Sequence, residues 1–378
     1  AGSLVACGGG EDLTRSASTP AASATPPGST VTPTPPSTGG AVTPPPPTSS
    51  GGPTAVDGVT ISASTVMHRS TLTVTGSGFG TKATAEPFVW DDFESGVAGN
   101  PLSSSQRWIH YENGSRVFPQ YSNLQAYSGA RAAYNFIDRP ADGEDFSTAG
   151  LRGLQATEMY FSYQFRWEIV SGTMGAGFIK TLRGNGVSGF YHARPRFYTS
   201  LHPGATLMNA GYAYTGADAD GAGEAASNVP ANTWNRMEGY YKLSAPAGSA
   251  NGMLQTWANL LPRVNLVNVM TLPSAQAGQL VDNFLLPFMA SNLSTVQLRL
   301  FVDDIYVDRT RARVEIGDAD TWTACRQREV QIPTSWSNPA ITLNDNQGRF
   351  ANGARGYVYV INADGRVNAR GVPLSFAP

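Results

Sequence analysis

Side chains able to hold an anion or move a proton recur at alternate positions in four stretches of this chain. In residues 160–167 the set is Tyr160, Ser162, Gln164 and Arg166; in 191–198 it is His192, Arg194, Arg196 and Tyr198. In 236–243 it is Arg236, Glu238, Tyr240 and Lys242, and in 254–259 it is Gln255, Trp257 and Asn259. Alternate residues of a β-strand share a face. If the four strands share one sheet, they expose Gln, Arg, His, Tyr and Trp together. Cations and amides neutralise a carboxylate while Tyr or His moves a proton, which is the equipment of β-elimination. Hydrolysis by an acid–base pair needs two carboxylates, and Glu238 is the only one squarely on this face. The candidate set is therefore Gln164, Arg166, His192, Arg194, Arg196, Tyr198, Glu238, Tyr240, Lys242 and Trp257. Arginines side by side at 194 and 196 repel unless something anionic lies between them. The plainer alternative is that these residues form a solvated outer face of ordinary strands.

Other chemistry finds less support. The four histidines, His68, His110, His192 and His202, show no metal-ligand spacing, and no CxxC accompanies them. No cofactor is expected. Asp303-Asp304 is the one pair that calcium could use, and such a pair at a strand more commonly accepts hydrogen bonds from backbone. The net charge of −2 gives no electrostatic case for nucleic acid. No run of 18 apolar residues occurs, so no segment reads as a membrane-spanning helix. The cysteines are Cys7 and Cys325, and Cys325 reads as a small buried hydrophobe.

The elements that must position these residues are strands. Alternation is clear in 159–167, 237–243 and 357–361, and Asn-Gly or Asp-Gly pairs at 113, 142, 251, 352 and 364 punctuate them. No stretch sustains a helical apolar period over four turns. Residues 8–56 are Gly, Ser, Thr, Pro and Ala with hardly a large apolar group, and are expected to be a disordered tether. Proline runs such as Pro45-Pro46-Pro47 favour extended polyproline II.

Residues 71–80, Thr-Leu-Thr-Val-Thr-Gly-Ser-Gly-Phe-Gly, resemble the second strand and turn of IPT/TIG immunoglobulin-like domains. The strands missing after them look like 312–317, 336–343 and the closing hairpin 353–365. One immunoglobulin-like sandwich is thus expected from 57–85 plus 312–376, because each end alone is too short to bury a core. The interrupting residues 86–311 open with Asp91-Asp92-Phe93-Glu94 and close with Val302-Asp303-Asp304-Ile305-Tyr306-Val307. These resemble the first and last strands of concanavalin-A-like jelly rolls. The expected fold is all-β, a concanavalin-A-like jelly roll inserted into an immunoglobulin-like β-sandwich. That resemblance implies polysaccharide, an acidic one suiting the arginines, held on the concave face of the jelly roll. The alternatives are a polysaccharide lyase acting by β-elimination and an adhesion or structural envelope protein without glycan activity. Finally, Leu4-Val5-Ala6-Cys7 resembles a bacterial lipobox within a residual signal peptide, residues 1–7. It implies lipidation at Cys7 and a lipid-anchored place in the bacterial envelope, at the outer membrane or cell surface.

Overall fold

The computed structural model describes residues 55–102, 107–112, 118–138, 144–175, 177–186, 195–202, 207–214, 220–291 and 295–378. The lipobox with Cys7, residues 8–54 of the tether, His192 and Arg194 lie outside these residues; Val56, expected as the last residue of the tether, is instead buried in the core of the immunoglobulin-like sandwich. Among the described residues the regular elements are strands and two short 3-10 turns, and no helix is long and apolar enough to cross a membrane.

The two ends of the chain build an immunoglobulin-like sandwich together. Strand Thr71–Ser77 is flanked by Asp57–Ile61 on one side and Ala340–Asn344 on the other, with Leu72 opposite Leu343 and Val74 opposite Ile341. Ile332–Trp336 completes that sheet. The facing sheet contains Thr65–Val66, Val372–Phe376, Arg355–Ile361, Arg313–Gly317 and Arg328–Val330. Alternation sends Leu72, Val74, Ile341, Leu343, Val358 and Val360 into one core with Phe79. Gly78 makes the turn before Phe79 possible. Its φ is +77°, and a Cβ there would stand 1.9 Å from the Ala55 carbonyl oxygen. Residues 336–343, read above as one strand, instead span a hairpin. Its turn sits at Ser337–Pro339, where proline has no N–H for a ladder.

The inserted jelly roll stacks two eight-stranded sheets. The first runs Leu261–Val269, Gly252–Ala258, Asn235–Lys242, Glu158–Ser171, Gln297–Asp308, Ala132–Asp138, Gln120–Ser122, with Val89–Asp91 paired to Gln297–Asp308. The second holds Gly221–Ala226, Leu207–Ala213, Arg196–His202, Phe178–Gly186, Val281–Leu285, Glu144–Leu151, Met289–Ser291 and Ile109–Glu112. Phe161, Tyr163, Phe165 and Trp167 point from the first sheet into the shared core. Phe161 stacks on Phe197 of the second sheet at 6.0 Å, and the Tyr163 hydroxyl donates to the Thr181 carbonyl. The insert's entry and exit strands are neighbours, so both junctions leave the jelly roll at one place. There the buried Lys82 ammonium pairs with Asp308 at 2.6 Å.

Candidate functional site

The sheet topology corrects the premise that the candidate residues share one sheet. Gln164, Arg166, Glu238, Tyr240, Lys242 and Trp257 belong to the first sheet, and Arg196 and Tyr198 to the second. Alternation orders residues along a strand but does not say which strands become neighbours.

On the first sheet the outward residues meet in register: Gln164 opposite Arg236, Glu238 opposite both Ser162 and Trp257, Tyr240 opposite Tyr160, Lys242 opposite Glu158. Much of this face is covered by the immunoglobulin-like sandwich. Arg236 bridges Glu238 at 3.1 Å and Glu315 at 3.0 Å, and Arg313 meets Glu315 at 2.6 Å. Arg328 lies 3.6 Å from Glu238 and 3.5 Å from Glu315. The Tyr160 hydroxyl donates to Glu238 at 2.8 Å beneath the Arg313 guanidinium. Burial alone would raise both acids. The surrounding arginines prevail, holding Glu238 below the ordinary carboxylate range and Glu315 down at about 2. Glu238 and Gln164 are therefore buried at a junction between modules, not on a freely solvated face. Tyr240 donates to Glu158. Arg166 lies farther along the strand, against Glu168 at 2.7 Å.

The second sheet carries a different polar cluster on the side away from the core. Phe197, Leu201, Met208 and Ala210 face inward, so Arg196, Tyr198, Ser200 and His202 face outward. Arg183 stands opposite Tyr198, and Lys180 opposite Ser200. The Tyr198 hydroxyl reaches across Gly211, where a Cβ would come within 2.6 Å of it. Asn185 donates to Asn283 at 3.1 Å. Phe178 and His202 stack at 5.0 Å, with the Lys180 ammonium 5.8 Å from the Phe178 ring. Burial lowers the His202 pKa, against a smaller opposing pull from Glu224. Lys180, Arg183 and Arg196 are buried, while Tyr198 and His202 remain part-exposed.

Sequence reasoning missed Lys180, Arg183, Asn185 and Asn283. The signal was present in Lys-Thr-Leu-Arg-Gly-Asn, but a register shift between Lys180 and Leu182 breaks the two-residue period. Asp303 accepts from the Tyr127 amide at 2.7 Å, and Asp304 from the Ser128 hydroxyl at 2.9 Å. Burial first, then neighbouring acids, push both carboxyls well above their ordinary range. Among the described residues no group of three or more His, Cys, Asp or Glu is placed to hold a metal ion.

No family model matches this chain, and no curated protein matches it. Solved structures do. An endo-β-1,4-glucuronan lyase from the fungus Trichoderma reesei matches at 13% identity and TM-score 0.43, over 59% of this chain and 95% of its own. Alginate lyase Aly36B matches at 11% and 0.44, over 60% and 98%. A β-glucanase catalytic domain from Podospora anserina matches at 13% and 0.35, over 58% and 94%. Likenesses this distant carry no substrate to this chain. The class stands on its own strand order: an all-β protein whose jelly-roll sandwich is inserted into an immunoglobulin-like one.

Proposed function

We propose that this protein binds polysaccharide on the outward polar face of its second sheet, and that the polysaccharide is acidic. One observation carries the reading. Lys180 and Arg183 stand opposite Ser200 and Tyr198, Asn185 bonds Asn283 two positions beyond Arg183, and Arg196 shares a face with Tyr198, all on the sheet opposite the one that the immunoglobulin-like sandwich packs against. Guanidinium groups and amides suit carboxylates and ring hydroxyls, and Tyr198 offers a ring and a hydroxyl to a sugar. His192 and Arg194 lie outside the described residues and stay in the candidate set on their place in the sequence alone. A charge-assisted hydrogen bond contributes about 1.5–3 kcal/mol, so Arg183→Ala should weaken binding of alginate or polyglucuronate about tenfold or more. Arg196→Lys keeps the charge and loses the planar fork, and should weaken binding too. Equal affinity of wild type and both variants, each with an unchanged melting temperature, would overturn the reading.

A lyase is the second reading, favoured by Tyr198 standing directly opposite Arg183. A cation there neutralises a uronate carboxylate while the phenol moves the proton at the neighbouring carbon. Time-dependent ultraviolet absorbance from an unsaturated uronate product separates it from simple binding. The lipid anchor at Cys7 belongs to the same proposal. Cys7→Ser should release the protein from the membrane fraction of a bacterial host, and unchanged fractionation would remove the anchor from it.

A further inference from the structure

A cleft of about 530 Å³ lies between the two sandwiches, within the range of small-molecule sites. Tyr160, Glu238 and Tyr240 of the jelly roll line it. Trp257 enters from the same sheet, and Trp322 comes from the immunoglobulin-like module. A neighbouring cavity of about 340 Å³ shares Asn259, Leu260, Arg326 and Arg328 with it and extends the cleft toward Trp234.

The charge in this cleft does not balance. Four arginines line it, Arg311, Arg313, Arg326 and Arg328, against one carboxylate, Glu238. Arg313 and Arg328 are taken up by Glu315 and Glu238. Arg311 and Arg326 meet no carboxylate within ion-pair distance among the described residues. Arg311 is held in place all the same. Its guanidinium lies 4.6 Å over the Tyr240 ring. It presses against Gly365, where a Cβ would come within 2.4 Å of its Cζ. Its Nε is buried and without an acceptor. Burial first, and then the Arg313 cation, lower its pKa. Tyr240 and Glu158 pull the other way, but no carboxylate among the described residues reaches it directly, and a bound anion relieves the cost of a half-buried cation fixed beside another cation. Trp257 is part-exposed along the cleft, whereas the Trp322 ring already carries the Arg328 guanidinium at 3.5 Å; a flat apolar ring face such as that of Trp257 is what a pyranose lies against.

We propose that this cleft is a second binding site, taking an anionic sugar whose acidic groups pair with Arg311 and Arg326 and whose ring lies on Trp257. It goes beyond the polar-face reading, because the two sites share no residue.

The test uses the whole chain titrated with a glucuronate tetrasaccharide, and with cellotetraose as the neutral control. Calorimetry reads stoichiometry, and tryptophan fluorescence reads the cleft. Wild type should bind the acidic sugar with a fluorescence change and ignore the neutral one. Arg311→Gln and Arg326→Gln should each weaken the fluorescence-detected event tenfold or more, and Trp257→Ala should abolish its signal. Arg326 is exposed, so its replacement leaves folding intact. Arg183→Ala should leave this event unchanged while weakening the other about tenfold or more. Unchanged fluorescence-detected affinity in Arg326→Gln and Arg311→Gln overturns the cleft and spares the polar face. Weakening of both events in Arg183→Ala overturns the cleft as a separate site. No binding of the acidic sugar by wild type overturns both.

Discussion

Tyr198 is where binding and chemistry part. Its backbone stands opposite Arg183 on one neighbouring strand, and its hydroxyl lies over Gly211 on the other. Phenylalanine there keeps the ring and removes the hydroxyl. Tyr198→Phe should keep affinity for acidic polysaccharide within a few-fold, whereas any release of unsaturated product should cease; a simultaneous assay of both decides between the readings. Asp345 makes a different prediction. Both of its carboxyl oxygens are buried without a hydrogen-bond partner, and burial raises its pKa from 3.8 to about 7. A carboxyl that is harder to ionise when folded opposes folding as it ionises. Its cost is therefore absent below about 3.8, grows as pH rises toward 7, and is complete above it. Each pKa unit corresponds to about 1.4 kcal/mol. Asp345→Asn should raise the melting temperature more at pH 8 than at pH 4. Equal shifts at the two pH values would contradict this account.

At the scale of elements, the strands that meet at the junction between modules depend on compensated charge. Glu315 lies buried among Arg236, Arg313 and Arg328, with its pKa lowered from 4.5 to about 2. Its contribution is fully present above about 4.5 and disappears as pH falls through 2. Removing one side of a buried pair typically costs about 3–5 kcal/mol, so Glu315→Gln should lower the unfolding free energy on that order at pH 7. The difference should shrink in acid. Gly78→Ala acts on the turn instead, by forcing a side chain against the Ala55 carbonyl at positive φ. It should cost more than about 1 kcal/mol, read by denaturant midpoint. These elements also show what was legible in advance. Strict alternation made the inward faces of Leu72 and Val74, and of Phe161 through Trp167, readable from residue order. The register shift at Lys180–Leu182 hid Arg183. Nothing in residue order told that Glu238 would meet Arg313 and Arg328 rather than water. That meeting depends on two segments more than seventy positions apart, and local periodicity carries no information about it.

For the whole molecule, the arrangement makes the ends of the chain mutually dependent. Thr71–Ser77 has Ala340–Asn344 as its ladder partner, and Leu72 and Val74 are fully buried in the core they share. A chain ending at Asp308 should lose amide protection across 71–77 in hydrogen exchange while the jelly roll keeps its own. Retained protection there would refute the dependence.

The same interruption sets an order of events at the ribosome. The first strands of the outer module emerge early, but their partners follow the entire insert. At about 5–20 residues per second, roughly 10–50 s of synthesis separate them. During that interval the apolar segment 71–77 lacks the partners that order it, and its exposed Leu72 and Val74 can pair with a neighbouring nascent chain. The jelly roll, once closed, pairs its end strands with Val89 opposite Val307, which holds the two junctions close together. It then serves as a clamp that shortens the loop the late strands must close, and chaperone demand should be greatest just before that closure.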